Sequence, residues 1–244
     1  MVEKRYLTAY EQDTKVDIKT NKPSDKLNKP TVIPSDRRWV DPGQELRYSA
    51  ETQDEAYRTG AYDMIETLDF SARIAVQAGY VSCRQARSVL DIGCGTGELL
   101  KYLHPDIRYV GMDISPTAIE AARLRYADRP ETNFYAANFR EWQSPDAEYD
   151  CIVWAGIGRT WTRAGRKGDK RDWLEILLSF NRYLVGDGII VIEATKDHWP
   201  KLSELIEQDY RVLAGCDVDC LINDHRAVRS ARVIQPIAVS TRGS

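Results

Sequence analysis

The sequence has few of the residues that build metal centres, disulfide scaffolds or membrane spans. Its 244 residues include three histidines and five cysteines, an odd number, and no two cysteines have the CxxC spacing of a zinc site. This usage indicates buried thiols in a reducing compartment, with a disulfide or metal site at Cys216 and Cys220 as the alternative. No apolar run approaches the ~20 residues of a membrane helix, and the N-terminus lacks the apolar segment of a signal peptide. We therefore expect a cytoplasmic protein with no membrane span and no bound metal.

A strong net charge is also missing. The formal net charge is −3, so no overall positive field attracts nucleic acid or an anionic membrane. Residues 1–43 are charged, polar and interrupted by four prolines, so they cannot bury enough apolar surface to fold alone. We predict a flexible N-terminal arm over residues 1–43 and a folded domain over residues 44–244.

Within this domain, strand patterns and helix patterns alternate. Residues 44–80 have helical spacing, and the second helix there is expected to end at Gly79. Alternating apolar runs and helices after this point indicate a mostly parallel sheet with helices on both faces. Two extended stretches joined by Asn223-Asp224 predict an antiparallel C-terminal hairpin. The predicted strands are 88–92, 109–113, 133–137, 150–155, 189–193, 210–222 and 229–239; the helices are 98–104, 115–127, 172–184 and 201–208, with a turn at 186–188.

Two acidic residues flank a glycine-rich turn near the middle of the sequence. Residues 89–97 read Val-Leu-Asp-Ile-Gly-Cys-Gly-Thr-Gly, which predicts a buried strand followed by a turn and a helix start. The glycines permit positive φ and close approach of a ligand, and ligands of open α/β sheets bind beyond the carboxyl ends of the strands. Asp91 before the turn suits a cationic amino group better than a phosphate. Asp113, at the end of the next strand, can accept hydrogen bonds from ribose hydroxyls.

This pattern resembles the class I S-adenosylmethionine-dependent methyltransferases over about residues 45–240. The resemblance implies a three-layer, Rossmann-like α/β sandwich with a seven-stranded, mostly parallel sheet of order 3-2-1-4-5-7-6 and an antiparallel strand from the C-terminal hairpin. It implies S-adenosyl-L-methionine as the cofactor and S-adenosyl-L-homocysteine as its product. The residues that would contact the cofactor are Gly93, Cys94, Gly95 and Gly97 along the methionine and ribose, Asp91 at the amino-acid end, Asp113 at the ribose and Ile114 at the adenine.

The same resemblance assigns residues at two further strand ends. The third strand of the family ends in a pair that reads the adenine, commonly an aspartate followed by an apolar or aromatic residue. Here the pair is Asn138 and Phe139, and an asparagine still offers an acceptor to the adenine amino group. Trp154 and Ala155 match the motif after the fourth strand, which faces the methionine part of the cofactor.

A lid and a basic loop are expected to surround the methyl acceptor. Helices equivalent to residues 44–80 often form a lid in this family, where Tyr57 or Tyr62 would gain cation–π energy near a sulfonium; core packing is the alternative. The segment 159–171 follows the fourth strand and carries six basic residues and one acidic residue. It is either an anion-binding loop or a solvated one. Its candidate substrate residues are Arg159, Trp161 and Arg163.

His198 is the candidate for a general base. Methyl transfer is an in-line displacement in which positioning dominates, and a base adds ~10²–10⁴-fold when the nucleophile carries a proton. His198 follows the fifth strand near the carboxyl edge of the sheet, together with Asp197 and Glu193. A surface or helix-capping role for His198 is the alternative.

The residues and the resemblance together predict methyl transfer to an oxygen or nitrogen atom of a small metabolite, which the basic loop allows to be anionic. An Asn/Asp-Pro-Pro-Tyr motif, frequent in members that methylate amide or base nitrogens, is missing after the fourth strand. One basic loop without a wider basic face disfavours nucleic acid, and we expect a monomer or homodimer. Three alternatives stay open: an RNA-modifying methyltransferase, another transfer reaction on the same fold such as aminopropyl transfer, and a non-catalytic cofactor-binding module.

Overall fold

The structure, a computed structural model, describes residues 50–144, 148–156, 169–222 and 225–237. The predicted arm over residues 1–43, the first residues of the predicted lid and most of the basic loop lie outside the described residues. Among the described helices, none has both the length and the apolar character needed to cross a membrane. The five cysteines are free thiols, of which Cys94, Cys151 and Cys220 are buried.

Seven strands form one sheet, and they are β1 (Ser88–Ile92), β2 (Arg108–Asp113), β3 (Thr132–Ala136), β4 (Tyr149–Ala155), β5 (Leu184–Thr195), β6 (Tyr210–Ile222) and β7 (His225–Pro236). Their order is β3-β2-β1-β4-β5-β7-β6. Neighbours among β1 to β5 pair in parallel, whereas β7 runs antiparallel to both β5 and β6. The predicted order and the antiparallel hairpin are confirmed.

Helices cover both faces of this sheet, which confirms the predicted three layers. The α-helices are α1 (Ala50–Arg58), α2 (Leu68–Cys83), α3 (Pro116–Arg125), α4 (Asp169–Phe180) and α5 (Trp199–Ile206), and short 3₁₀ helices span Asp63–Glu66, Glu98–Tyr102, Asn181–Tyr183 and Lys196–His198.

Alternate residues of the central strands belong to two different cores. Val89 of β1 packs in a cluster with residues of α2 and α3, whereas Leu90 and Ile92 pack in a cluster with residues of α4 and α5. This separation follows from the period of two in a strand. All five residues of β1 are buried, as expected for a central parallel strand covered on both sides. Asp91 therefore lies on the α2 face of the sheet, at the carboxyl end of its central strand.

The second predicted helix does not end at Gly79, because α2 continues to Cys83. An isolated glycine costs a helix only ~1 kcal/mol relative to alanine, and a Cβ at Gly79 would meet no atom within 4 Å. Nothing in its surroundings therefore forces the chain to turn. The helix ends instead just before Gln85, whose φ is 55°.

Several other element boundaries differ from the prediction. α4 begins at Asp169, within the predicted basic loop, and ends at Phe180 rather than at residue 184. β5 spans Leu184–Thr195 rather than 189–193. The segment expected to be helical over 98–104 is a 3₁₀ helix that ends at Tyr102, because only a few residues separate it from Pro105. The turn at 186–188 lies within β5, as an irregularity between the pairs Tyr149–Leu184 and Cys151–Ile189. β7 begins at His225, four residues before the predicted start, because the pairing with β6 extends to the end of the hairpin.

Candidate functional site

Two adjoining pockets lie at the carboxyl ends of β1, β2 and β4. The inner pocket is bounded by Asp91, by residues 93–96 of the glycine loop (residues 93–97) and by α2. The outer pocket is bounded by Asp113, Ile114 and Phe139. The outer pocket has a volume of about 240 Å³, far above the ~10–15 Å³ that one ordered water needs. We call the two pockets together the cleft, because they share Tyr57, Tyr62, Ile65, Arg73, Gly93 and Ala155.

The glycine loop is tied to the neighbouring strand by its backbone. The amides of Gly93 and Cys94 both donate to the Met112 carbonyl, at 2.8 and 3.0 Å. Gly95 has φ +54°, and a Cβ there would lie 2.6 Å from the Tyr57 hydroxyl oxygen. The Tyr57 hydroxyl therefore occupies space that is open only because residue 95 is a glycine.

Asp113 ends β2 and is held by backbone amides on both carboxylate oxygens. Oδ2 accepts from the Gly95 amide at 3.0 Å, and Oδ1 accepts from the Ser115 amide at 2.9 Å. Ser115 also caps α3, since its Oγ accepts from the Ala118 amide at 3.1 Å. Desolvation raises the pKa of Asp113, against the lowering effect of these amides. A carboxylate has about four lone-pair sites, so acceptor capacity for a diol remains.

Asp91 is a nearly enclosed carboxylate that lines the inner pocket. It is 5% exposed, and its Oδ2 accepts a hydrogen bond from the Tyr109 hydroxyl at 2.6 Å. Burial raises its pKa to about 7, and the Tyr109 hydroxyl opposes this rise. A buried carboxylate that faces a cavity calls for a cationic ligand group.

The cleft also contains two donors that the sequence prediction missed. Arg73 and Gln77 lie one turn apart on α2 and line the inner pocket. Arg73 Nε and Gln77 Nε2 are buried and have no hydrogen-bond partner among the described residues. Buried donors are nearly always satisfied, so the two atoms call for an acceptor from a ligand or from ordered water.

A surplus positive charge accompanies these donors. Glu193 is 1% exposed, and its two carboxylate oxygens bind Arg73 and Arg229. Two cations thus share one anion in a buried setting, where an uncompensated charge is costly. The i, i+4 spacing of Arg73 and Gln77 was the available sequence signal. Nothing in that spacing indicates which side of α2 meets the cleft.

The lid residues lie over the cleft as a small aromatic group. The rings of Tyr57 and Tyr62 have centroids 4.7 Å apart, and the Tyr62 hydroxyl donates to Gln53 Oε1 at 2.8 Å. All three residues line the outer pocket. Both tyrosines named from the sequence are therefore brought next to the glycine loop.

The other predicted cofactor residues are only partly brought together. Ile114, Phe139 and Ala155 line the cleft. Asn138 is not among the lining residues, since its Oδ1 accepts from the Arg140 amide at 3.1 Å within its own turn. The Trp154 side chain lies in the opposite core, edge-on to Phe180 at 5.2 Å. Gly97 packs under aromatic rings outside the cleft lining.

The predicted acceptor residues receive less support. His198 ends a 3₁₀ helix and is half-buried, and it is not among the residues that line the cleft. Burial and Arg229 lower its pKa. Arg159, Trp161 and Arg163 lie outside the described residues.

The groups of the cleft match, in kind, those that S-adenosylmethionine requires. Asp91 suits its ammonium group, the unsatisfied nitrogens of Arg73 and Gln77 suit its carboxylate, and Asp113 suits its ribose diol. Ile114 beside Asp113 offers an apolar surface to the adenine. The sheet order, the glycine loop and the two acidic residues together are typical of class I S-adenosylmethionine-dependent methyltransferases.

Comparisons with known proteins agree with this class. A family model described as a methyltransferase domain matches residues 89–167. The chain is 34% identical to a trans-aconitate 2-methyltransferase of Escherichia coli O1:K1 over 84 residues, 33% of this chain and 31% of that protein. It is 45% identical to a malonyl-[acyl-carrier protein] O-methyltransferase of Anoxybacillus flavithermus over 70 residues, 28% of this chain and 26% of that protein. The chain is therefore similar to methyltransferases over about a third of its length.

A solved structure shows the same fold. The N-methyltransferase NodS of Bradyrhizobium japonicum, in complex with S-adenosylhomocysteine, superposes with a TM-score of 0.57 over 70% of this chain and 90% of that one, at 16% identity. The curated relatives are matched over only 25% to 41% of their own lengths. The chain therefore matches less than half the length of each of these relatives.

Proposed function

We propose that the chain transfers the methyl group of S-adenosylmethionine to an oxygen or nitrogen atom of a small metabolite, with carboxylate-bearing metabolites as the first class to test. One observation carries the proposal. Around a single glycine loop, the structure collects two carboxylates, Asp91 and Asp113, and two unsatisfied donors, from Arg73 and Gln77. NAD(P) or ATP would instead require a phosphate-binding loop, next to which Asp91 is unfavourable.

The chain's own residues would divide the cofactor between them. Asp91 would bind the ammonium group, Arg73 and Gln77 the carboxylate, and Asp113 the ribose hydroxyls. The carboxylate would also compensate the surplus positive charge of Arg73 and Arg229 around Glu193. Each charge-assisted hydrogen bond of this kind contributes ~1.5–3 kcal/mol.

Catalysis would rest on orientation in the cleft. The bound cofactor supplies an electrophilic methyl group on a sulfonium sulfur. Tyr57 and Tyr62 would cover that part of the cleft, exclude water and favour the cationic sulfur through their ring faces. Holding the acceptor atom in line with the methyl group at ~3 Å provides most of the rate gain.

The acceptor class is supported by the relatives. Two are named for trans-aconitate and for malonyl-[acyl-carrier protein], and both of these acceptors carry carboxylates. The basic loop over residues 159–171 follows β4, at the edge of the sheet that holds the cleft. Its Arg159, Trp161 and Arg163 remain our candidates for acceptor binding, and His198 remains the candidate base.

A panel assay tests the reaction. The purified chain would be incubated with S-adenosylmethionine and separate pools of dicarboxylic acids, tricarboxylic acids, amines, phenols and total RNA. We expect S-adenosylhomocysteine to form and one acid pool to gain a methyl group by mass spectrometry. Methylation of RNA alone, or transfer of an aminopropyl group, would contradict the proposal.

Binding of product fragments tests the cofactor site separately. We expect Arg73→Met to weaken S-adenosylhomocysteine binding ~10- to 100-fold, because a charged hydrogen bond to the carboxylate is lost. 5′-Methylthioadenosine, which lacks the amino-acid end, should bind unchanged. Arg123→Met is a matched control, since the Arg123 guanidinium donates to the Phe134 carbonyl away from the cleft. Equal losses for both ligands would remove Arg73 from the proposed site.

A further inference from the structure

Tyr109 is a buried tyrosine whose hydroxyl contacts Asp91, a carboxylate that lines the cleft. It is the second residue of β2 and is 0% exposed. Its hydroxyl donates to Asp91 Oδ2 at 2.6 Å. A buried phenol could have satisfied its hydroxyl on a backbone carbonyl, yet here it is directed at the cleft carboxylate.

The path of the Tyr109 ring depends on a glycine. Asp91 of β1 pairs with Gly111 of β2, and Val89 pairs with Tyr109, so the ring must pass residue 111 to reach Asp91. A Cβ at Gly111 would lie 2.9 Å from Tyr109 Cε1. Any larger residue at position 111 would close this path. The missing side chain of Gly111 therefore leaves the space through which the Tyr109 ring extends to Asp91.

We propose that Tyr109 is a positioning residue that keeps Asp91 ionised and oriented for the cofactor's ammonium group, and so sets the lower pH limit of cofactor binding. This inference rests on the proposed function. The Tyr109 hydroxyl occupies one Asp91 oxygen and stabilises the charged form of the carboxylate. The other oxygen remains for the ligand.

The electrostatic surroundings of Asp91 make this support necessary. Burial raises the pKa of Asp91, the Tyr109 hydroxyl lowers it and Asp113 raises it, and the combined result is a pKa of about 7. Loss of the hydroxyl therefore raises the pKa of Asp91 and reduces the ionised fraction near neutral pH. The ionisable groups around Asp91 are Tyr109 and Asp113 on β2, Cys94 in the glycine loop, Cys151 on β4, Arg73 on α2 and Glu98 after the loop.

The test compares Tyr109→Phe with the unaltered chain by calorimetry from pH 6.0 to 9.0. S-Adenosylhomocysteine is one ligand, and 5′-methylthioadenosine, which has no ammonium group, is the other. An increase of one pKa unit in Asp91 changes its ionised fraction up to tenfold. We expect the variant to bind S-adenosylhomocysteine about five- to tenfold more weakly at pH 6.5, and within about twofold at pH 8.5. Binding of 5′-methylthioadenosine should not change at any pH.

Two further variants keep this test decisive. Tyr126→Phe is the matched control, since Tyr126 stacks on the same Phe134 ring as Tyr109, and its hydroxyl has no partner in the described part of the chain. We expect it to leave both affinities unchanged. Asp91→Asn should bind S-adenosylhomocysteine weakly, with no dependence on pH between 6 and 8, and this holds even if Tyr109→Phe fails to fold.

The outcomes separate the two proposals. A loss for Tyr109→Phe that is the same at every pH, or is shared by 5′-methylthioadenosine, would reduce Tyr109 to a packing residue and overturn this inference alone. A pH dependence that persists in Asp91→Asn would also overturn it. If the unaltered chain binds neither ligand, the proposed function itself fails.

Discussion

At the residue scale, neighbouring glycines of one loop serve different partners. Gly95 and Gly97 have φ of +54° and +80°, a region that L side chains rarely adopt. A Cβ at Gly95 would meet the end of the Tyr57 side chain, which belongs to the lid. A Cβ at Gly97 would lie 2.8 Å from a Tyr126 ring atom and 3.3 Å from Phe134, which belong to the packed core.

We therefore expect an alanine at Gly97 to lower mainly the stability of the fold, and an alanine at Gly95 to lower mainly the affinity for the ligand. Gly97→Ala should destabilise the fold by ~2–4 kcal/mol, because backbone strain adds to overpacking against two rings. Gly95→Ala should cost only the strain, ~1–2 kcal/mol, but weaken S-adenosylhomocysteine binding at least tenfold by displacing Tyr57 and the loop. Urea denaturation and calorimetry of both variants measure the two quantities. Equal stability losses with equal affinities would show that the two glycines are not specialised.

How far the candidate site was predictable also depends on individual residues. Asp91 is the last but one residue of β1 and Asp113 ends the adjacent parallel strand β2, so their sequence positions alone place them at one edge of the sheet. Arg73 and Gln77 reach that edge from α2, and no local pattern encodes how that helix rotates. Strand alternation would have placed Trp154 correctly, since it pairs with Ile92, whose side chain lies in the opposite core from Asp91.

At the element scale, α1 is attached to the domain by polar contacts rather than by a core. None of its residues is buried. Asp54 Oδ1 accepts from the Ser115 hydroxyl and, at 3.1 Å, from the Thr117 amide at the start of α3. The hydrogen bond from Ser115 lowers the pKa of Asp54. A carboxylate at a helix N-terminus also interacts favourably with the helix dipole.

We therefore expect Asp54 to hold the lid closed. Asp54→Ala should remove ~1 kcal/mol of local stability, the usual value of such a cap, and raise amide hydrogen exchange in α1 about fivefold. Global unfolding should change little, and dissociation of S-adenosylhomocysteine should become faster because Tyr57 lies on the same helix. Glu55→Ala is the control, since within the described part of the chain the Glu55 carboxylate pairs with exposed Arg58 on α1 itself. Unchanged exchange in the Asp54 variant would assign α1 another anchor.

Elements were predicted more accurately in type than in extent. The strands and their order follow from period-two burial and the family resemblance, and Ser115 with Pro116 marks the start of α3 correctly. The ends at Gly79 and near His104 were misplaced, because glycine and proline propensities are weak next to the packing of α2 and the short span before Pro105. β6 has the predicted bounds, whereas β7 begins earlier than the local pattern indicated, because its pairing with β6 extends to His225.

At the scale of the whole molecule, the cleft concentrates charge that the fold does not fully compensate. Asp91 is buried beside a neutral phenol, and Glu193 is shared between Arg73 and Arg229. Burial of such groups opposes folding, and a zwitterionic cofactor bound as proposed would relieve this cost. We therefore expect the domain without ligand to be less stable than its fold alone would allow, as is common for proteins with functional sites.

The final prediction concerns the thermal stability of the Asp91→Asn variant with and without ligand. The carboxyl has a pKa of about 7 in the folded chain and ~3.9 when unfolded, so between these values the folded state binds more protons. Its contribution to stability is fully present below pH ~4 and is lost as the pH rises toward 7. The asparagine does not titrate, so without ligand the variant should melt above the unaltered chain at pH 8, and this difference should shrink by pH 5. With S-adenosylhomocysteine at ~100 times its Kd, the unaltered chain should gain ~2.7 kcal/mol and the variant far less. Thermal melts at both pH values, with and without ligand, decide the matter, and a variant that is less stable at pH 8 would mean that Asp91 serves the fold rather than the ligand.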